Sequence, residues 1–151
     1  MCDRFGLAAS NEVEHVPLLE TSRRMSAVRQ SGTSAELQVR RALSRIGLRY
    51  RLNVRSLPGS PDLANVRQRF AVFVHGCFWH RHRDCPYATM PKTNKAFWTE
   101  KFDANVRRDD RAKKSLRERG FRVIVVWECE ARAQRLVELL SKALKGVDRC
   151  S

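Results

Sequence analysis

The stretch Phe-Val-His-Gly-Cys-Phe-Trp-His-Arg-His-Arg-Asp-Cys occupies residues 73–85 and follows an apolar run. It brings together several His and Cys side chains with the adjacent aromatic residues Phe78 and Trp79. Polar side chains of this kind are costly inside an apolar core unless they have partners. The stretch therefore predicts the end of a buried strand, followed by a loop with a binding or catalytic task.

The sequence predicts four strands, one of which ends in this stretch. Residues 63–66 and 70–74 read as two short strands joined at 67–69, and the second is apolar enough to be buried. Asp62 opens the first of these strands and His75 closes the second, so a hairpin would bring the two side chains close together. Residues 121–127 are predicted to form the clearest buried strand, because they contain an unbroken β-branched run at 123–126. A weaker strand is predicted at 48–54, interrupted by Arg residues.

Helices are predicted on both sides of these strands. Thr33 and Glu36 have the spacing of a capping box, which begins an amphipathic helix that stops at Gly47. A second helix runs from Asn94, the expected N-cap, to about Gly120. Its core-facing stripe is Trp98, Phe102, Asn105, Asp109, Ala112 and Leu116, and a last helix carries Leu136, Leu139, Leu140, Ala143 and Leu144. This order predicts an α/β fold with one mixed sheet covered on both faces.

Residues 76–97 form a long stretch without clear periodicity, and such a loop in a compact domain is usually functional or held by something other than a core. Cys77, His82 and Cys85 give the pattern C-x4-H-x2-C, and Cys129 at the end of a buried strand could supply a fourth zinc ligand. The alternative is a set of unrelated free thiols in a reducing cell. Cys2 and Cys150 lie near the termini and are poor candidates.

Carboxylates next to histidines suggest hydrolytic chemistry. Asp62 could hold Mg²⁺ against a phosphate, and a neutral His75 could take a proton from water, whereas an Asp after Pro is more often a turn residue. Asp109 lies on an apolar helix stripe and so needs a partner, either an arginine or an active-site histidine. Glu36 already has a structural task as the cap partner of Thr33.

The overall charge indicates a polyanionic partner. The 151 residues contain 30 Lys and Arg against 16 acidic residues, a net charge of +14, which favours nucleic acid over other partners. Phe78, Trp79 and Trp98 lie among basic residues and could stack on bases, or they could form a small core over the metal loop. We find no signal peptide and no apolar run of about 18 residues, and residues 1–20 are expected to be a disordered leader.

Five segments of the chain resemble the very-short-patch-repair (Vsr) family of DNA mismatch endonucleases. The run His-Gly-Cys-Phe-Trp-His is highly specific for this family, and the resemblance extends over about residues 21–144. The segments are Pro-Gly-Ser-Pro-Asp (58–62), Phe-Val-His-Gly-Cys-Phe-Trp-His-Arg-His (73–82), Asn-Lys-Ala-Phe-Trp (94–98), Lys-Phe-Asp-Ala-Asn-Val-Arg-Arg-Asp (101–109) and Val-Val-Trp-Glu-Cys (125–129).

The resemblance implies a restriction-endonuclease-like α/β/α core at 21–145, followed by a tail at 146–151. It implies that Asp62 and the backbone carbonyl of Val74 bind catalytic Mg²⁺, although some relatives carry Thr at the position of Val74. The implied catalytic histidines are His75 and His80, supported by Asp109 and Glu36. The implied ligands of a structural Zn²⁺ are Cys77, His82, Cys85 and Cys129.

The resemblance also implies the substrate. Family members nick one strand 5′ of the thymine in a T·G mismatch that arises by deamination of 5-methylcytosine. Phe78, Trp79 and Trp98 would enter the duplex from the major groove, and Met25 and Val28 would approach from the minor groove. By the residues alone, Met25 and Val28 could instead dock on the core.

We therefore expect a monomeric, cytoplasmic, nucleoid-associated bacterial enzyme that acts on double-stranded DNA and hands its product to mismatch-repair and gap-filling enzymes. No membrane partner is expected. Two alternatives share many of the same features. One is a zinc-stabilised basic DNA-binding module without catalysis, and the other is a restriction-type endonuclease that acts on matched DNA.

Overall fold

A computed structural model describes residues 32–147, and the sheet in this part of the chain has four strands in the order β1-β2-β3-β4. Strands β1, β2 and β3 form an antiparallel meander, in which Leu63 lies opposite Val72. Strands β3 and β4 are parallel, and His75 lies opposite Trp127 at their carboxyl ends. The strand bounds are β1 (Arg51–Leu52), β2 (Leu63–Asn65), β3 (Phe70–His75) and β4 (Arg122–Trp127).

Helices flank the sheet in the predicted order. They are α1 (Ser34–Arg45), α2 (Lys95–Glu118), α3 (Glu128–Ala131) and α4 (Leu136–Ala143). Helix α1 begins at the predicted cap, where the hydroxyl of Thr33 accepts a hydrogen bond from the backbone N–H of Glu36. Helix α2 is the crossover that joins the parallel strands β3 and β4, a connection that parallel strands require. No helix in residues 32–147 is long and apolar enough to span a membrane.

Side chains along β3 point alternately to the two faces of the sheet, so the core consists of two clusters, one on each face. Phe70 and Val72 point to one face, where they join Val126 of β4 and apolar residues of α1 and α4 such as Leu43 and Leu140. Ala71 and Phe73 point to the opposite face, where they meet Leu57 and, from α2, Leu116. The expectation of one mixed sheet covered on both faces is confirmed.

The turn that precedes β2 packs directly on α2. Gly59 has φ +73°, and a Cβ atom placed there would lie 2.5 Å from the Cβ of Ala112. Only glycine permits both this backbone conformation and this close approach. Because the turn is held in this way, the residues that follow it, Pro61 and Asp62, enter the sheet at a fixed position.

Several local expectations need correction or lie outside the described residues. The strand expected at 48–54 contains only Arg51–Leu52, whose side chains are exposed on both faces, so burial does not extend it. Helix α3 was not predicted, because four residues are too few to show a helical period. Asn94 is the N-cap of α2 as predicted, but it adopts φ +50° and its side chain makes no capping hydrogen bond. Residues 1–20, Met25, Val28 and residues 148–151 are not described, so the leader and the expected minor-groove segment remain predictions, as do the boundaries 21–145 and 146–151.

Candidate active site

Asp62 and Val74 are joined across the β2–β3 hairpin. The carboxylate Oδ2 of Asp62 accepts a hydrogen bond of 2.7 Å from the backbone N–H of Val74. The carbonyl of Asp62 accepts a second bond from the backbone N–H of Asn53, at 2.9 Å, which ties the same residue to the segment on its other side. The predicted proximity of Asp62 to the end of β3 is confirmed, and the carboxylate is held rather than free in a turn.

Three side chains meet beside the carboxyl end of β3. Nδ1 of His80 is hydrogen-bonded to Oδ2 of Asp109, and Nε2 of His75 lies 4.0 Å from the same oxygen. The two imidazole rings are stacked, with centroids 3.9 Å apart and planes 10° apart. Asp109 thus has the histidine partner that its place on an apolar stripe required. These three residues come from β3, from the loop and from α2.

The charges of this site are set by burial and by neighbours. Burial raises the pKa of Asp62 to about 6, which the Val74 hydrogen bond opposes and the negative charge of Glu36 reinforces. Burial, together with the nearby His80, lowers the pKa of His75 to about 4. Burial acts to raise the pKa of Asp109, but the hydrogen bond and charge of His80 outweigh it and hold that pKa below its ordinary value. At neutral pH His75 is therefore neutral and Asp109 is ionised.

The sequence left two roles open for Glu36: a helix cap and a support of the active site. Its surroundings are compatible with both. Its Oε2 accepts a 2.8 Å hydrogen bond from the N–H of Gly32, and the hydroxyl of Thr33 donates to its Oε1 at 3.2 Å. It therefore takes part in the cap of α1, although its backbone bond comes from Gly32 and not from the N–H of Thr33 that a standard capping box uses. Its negative charge nevertheless adds to the effect of burial, which is the main cause of the raised pKa of Asp62. Glu36 lies at the edge of the site, and its task as a cap does not remove its electrostatic effect.

The four predicted metal ligands converge on one point. One potential ligand atom from each of Cys77, His82, Cys85 and Cys129 lies within 4.8 Å of every other. Nδ1 of His82 is 3.6 Å from Sγ of Cys77 and 3.3 Å from Sγ of Cys129. Typical Zn–S and Zn–N bond lengths in a tetrahedron give a sulphur-to-nitrogen distance of about 3.5 Å. The spacing of these atoms thus fits a tetrahedral metal ion.

The chemistry of the cysteines points in the same direction. Burial raises the pKa of the Cys77 thiol to about 12, and burial also raises the pKa of Cys129. A metal ion binds the thiolate form and so reverses these pKa shifts. The four residues could therefore hold a metal ion, which would tie the loop from Gly76 onward to the end of β4.

Aromatic side chains form a cluster between the loop and the start of α2. The ring of Phe78 meets Trp79 edge-on at 5.2 Å and Phe102 edge-on at 5.1 Å, and the rings of Trp79 and Trp98 are 6.2 Å apart. Trp98 is 6% exposed, whereas Phe78 and Trp79 are half-buried. The structure therefore brings the three predicted DNA-contacting aromatics together, with Trp98 as the base of the cluster.

Two residues of this cluster were missed by the sequence reasoning. Phe97 is 55% exposed and packs edge-on against Trp98. The ammonium of Lys101 lies 5.4–5.7 Å from the ring centroids of Trp79, Phe97 and Trp98, within cation–π range. Lys101 lies four residues after Phe97 and three after Trp98, a helical spacing that could have indicated a shared face of α2.

Comparison with known proteins agrees with the resemblance. A model of the family described as "DNA mismatch endonuclease Vsr" matches residues 19–86. The chain is 44% identical over 106 residues to the Type II nicking enzyme V.XorIIP of Xanthomonas oryzae pv. oryzae, covering 70% of this chain and 77% of the relative. It is 41% identical over 113 residues to the DNA mismatch endonuclease Vsr of Escherichia coli, covering 75% and 72%. It is 40% identical over 134 residues to the Type II nicking enzyme V.NmeAIP of Neisseria meningitidis serogroup A, covering 86% and 95%.

A mixed α/β fold with histidines and carboxylates at one sheet edge, together with these relatives, defines an endonuclease that acts on DNA. The chain belongs to the Vsr family of DNA mismatch endonucleases. Endonucleases of this type depend on metal ions, and the Cys/His cluster is a possible site for one of them. The alternative of a DNA-binding module without catalysis is not supported by this membership.

Proposed function

We propose that this protein nicks one strand of double-stranded DNA 5′ of the thymine in a T·G mismatch, with Mg²⁺ as the catalytic ion. The observation that carries the proposal is the convergence of Asp62, His75, His80 and Asp109 at the carboxyl ends of β3 and β4. A relative named for DNA mismatch cleavage matches this chain over 75% of its length.

Asp62 and the carbonyl of Val74 are the groups that would hold Mg²⁺. Both supply the hard oxygen ligands that Mg²⁺ prefers, and so small a protein ligand set leaves other positions to water and phosphate. The raised pKa of Asp62 supports this assignment, because burial beside Glu36 disfavours the ionised carboxylate until a cation balances it. When bound, Mg²⁺ would stabilise the negative charge that develops on the scissile phosphate.

His80 is suited to take a proton from the attacking water. Its Nδ1 donates to the ionised Asp109, so the lone pair lies on Nε2 and the imidazolium that forms is stabilised by the carboxylate. The water gives a proton to Nε2 of His80, and its oxygen forms a bond to phosphorus. The P–O bond to the leaving strand breaks, and the expelled oxygen takes a proton from solvent water. His75 stays neutral, supports the ring of His80 by stacking, and contributes no competing positive charge. Glu36 tunes Asp62 through its charge.

The aromatic cluster is the proposed reader of the mismatch. A mismatched step unstacks at lower cost than a paired one, so rings that insert there bind mismatched DNA in preference. Phe78 and Trp79 are half-buried and lie in the sequence between the metal ligand Cys77 and the catalytic His80, so insertion and cleavage would be coupled in space. We propose that Trp98 supports Phe78 and Trp79 as these rings enter the duplex. Met25 and Val28 are proposed to contact the minor groove.

The Cys/His cluster is proposed to hold Zn²⁺ in a structural role, with Cys77, His82, Cys85 and Cys129 as ligands. All four positions of a tetrahedron are filled by protein, which is the usual state of structural zinc and not of catalytic zinc. The core is proposed to be restriction-endonuclease-like, with helices on both faces of the mixed sheet. We propose that the protein acts as a monomer in the cytoplasm of a bacterium and passes the nicked strand to mismatch-repair and gap-filling enzymes.

The test is a nicking assay with Mg²⁺ on a panel of duplexes that contain T·G, C·G or T·A at one position in varied sequence contexts. The proposal predicts one cut, in the thymine strand of T·G duplexes only. Cuts in both strands of matched duplexes would instead identify a restriction-type endonuclease. The Asp62→Ala variant should abolish nicking and leave T·G binding largely intact, and equal loss of both would show a role of Asp62 in folding or binding.

A further inference from the structure

A continuous series of ring contacts, two stacked and one edge-on, connects the Cys/His cluster with the catalytic histidines. The indole of Trp127, the last residue of β4, stacks on His82 with centroids 4.1 Å apart and planes 8° apart. The same indole meets His75 edge-on, at 5.4 Å and 76°. His75 in turn stacks on His80 at 3.9 Å. One side of Trp127 therefore faces a metal ligand, and another side faces the catalytic pair.

We propose that Trp127 is a positioning residue that transmits the occupancy of the Cys/His cluster to the ring orientation of His75. The proposal rests on the roles assigned above to that cluster and to His75. An ion bound at Nδ1 of His82 fixes the plane of the imidazole, the imidazole fixes the indole that lies flat against it, and the edge of the indole limits how His75 can turn.

The surroundings of Trp127 show that it is more than a core residue. In the described part of the chain it belongs to neither of the two apolar clusters that pack the faces of the sheet. Its backbone N–H donates to Oε2 of Glu130 at 2.9 Å, which fixes the backbone and leaves the orientation of the indole to the rings that it contacts. Cys129 follows two residues later, which means that the metal site constrains Trp127 from its side chain and from its backbone.

His75 is the appropriate reporter of this coupling. It lies on strand β3 and is 5% exposed, whereas His80 and His82 lie in the loop that the metal ties down. Loss of the ion would disturb His80 and His82 directly, as members of that loop. A change at His75 that depends on Trp127 must instead pass through the indole.

The decisive measurement is imidazole NMR of the full chain labelled with ¹⁵N-histidine, with the His75 signals assigned from a His75→Asn variant. Spectra are recorded with Zn²⁺ bound and after its removal by a chelator. In the natural protein the His75 ring signals should shift when zinc is removed. In Trp127→Leu, which keeps apolar volume without a ring, the shift should be clearly smaller, with only the part that passes through His80 remaining, and Trp127→Phe should restore part of it.

Kinetics and stability supply the second readout. Trp127→Leu should lower kcat on T·G duplexes by about tenfold or more, the scale of small misplacements in an active site, with little change in KM. Val125→Ala is the matched control, because it removes partly buried volume on the same side of the same strand and should lower the Tm without this loss of kcat. His82→Cys keeps a zinc ligand but removes the stacked ring, and adding Trp127→Leu to it should cause little further loss.

A zinc-dependent shift of His75 that is unchanged in Trp127→Leu would overturn the proposal, as would equal kcat values for Trp127→Leu and Trp127→Phe. The NMR result does not depend on any nuclease activity. If T·G nicking were absent and the His75 shift still required the indole, the assigned function would be wrong and the structural coupling would remain.

Discussion

Nδ1 of His80 is hydrogen-bonded to Oδ2 of Asp109, although the two residues are 29 positions apart and lie on the loop after β3 and on helix α2. This pair fixes both the orientation and the tautomer of the imidazole. Asp109→Asn preserves the size of the side chain but removes its charge and its preference for the Nδ1–H tautomer. We expect the single-turnover nicking rate to fall by about a hundredfold or more, with T·G binding nearly unchanged.

Asp110→Asn is the matched control for this substitution. Asp110 is the next residue on the same helix, but its side chain is 63% exposed and pairs with Lys113. An exposed pair of this kind contributes about 0–1 kcal/mol, so rate and stability should stay close to those of the natural protein. Similar rate losses in both variants would show a general effect of charge on α2 and would remove Asp109 from the site.

The raised pKa of Asp62 predicts how the Mg²⁺ requirement depends on pH. A proton and Mg²⁺ compete for the carboxylate, and its pKa of about 6 in the metal-free protein means that protonation becomes dominant below that pH. The Mg²⁺ concentration that gives half-maximal nicking should be constant well above pH 6 and should rise about tenfold for each unit below it. Titrations of Mg²⁺ at a series of pH values measure this dependence.

Saturating Mg²⁺ separates this effect from other titrations. Protonation of a general base lowers the maximal rate, whereas competition at Asp62 changes only the concentration needed to reach it. A variant with Glu36→Gln loses a negative charge that raises the pKa of Asp62, so its transition should move to lower pH. A half-saturating Mg²⁺ concentration that does not change across pH 6 would contradict the assignment of Asp62 as the metal ligand.

Helix α2, the β2–β3 hairpin and β4 could be predicted from the sequence because each has a strong local signal. The stripe from Trp98 to Leu116 gives a helical period, and residues 122–127 are continuously apolar or β-branched after the first. The convergence of Asp62, His75 and Asp109 follows from these elements once they are paired. The helical period alone predicts that Asp109 needs a partner, because a carboxylate on an apolar stripe is costly unless it is paired.

Other features could not be predicted because they depend on contacts between distant segments. The strand at Arg51–Leu52 is short because its side chains are exposed on both faces, which a run of mixed Arg and Leu does not reveal. Trp127 reads as the last residue of a buried strand, and nothing local shows that its ring lies between His75 and His82. Phe97 and Lys101 were missed because Trp98 alone explained the apolar face at the start of α2.

Loss of one ligand should release the ion from the Cys/His cluster. Cys129→Ser should reduce bound zinc from one ion per chain to nearly none, measured by elemental analysis of purified protein. The loss should lower the free energy of unfolding by several kcal/mol, because the ion binds only where the folded chain brings all four ligands together. Cys2→Ser, outside the predicted ligand set, should retain the ion. Full zinc content in Cys129→Ser would exclude Cys129 as a ligand.

The aromatic cluster predicts a loss of discrimination when one ring is removed. Trp79→Ala should reduce the ratio of T·G to C·G affinity by about tenfold, since stacking of a base on an aromatic side chain contributes about 1–3 kcal/mol. Tyr87→Ala provides the control, because Tyr87 is 59% exposed and lies outside the cluster. Competition binding with both duplexes gives the ratio. If it stayed constant in Trp79→Ala, insertion of this ring next to the mismatch would be ruled out.

Glu36 can be assigned by substitutions that separate its two roles. Gln is also a capping-box residue, so Glu36→Gln should keep the cap with Thr33 and leave the Tm nearly unchanged, while it removes the charge near Asp62. Thr33→Ala should do the reverse, with a loss of about 0.5–2 kcal/mol in the free energy of unfolding and a normal nicking rate at saturating Mg²⁺. Thermal denaturation and single-turnover nicking of both variants are the measurements. A slow Glu36→Gln with normal stability places Glu36 in the catalytic site, whereas a normal rate in Glu36→Gln restricts it to the cap.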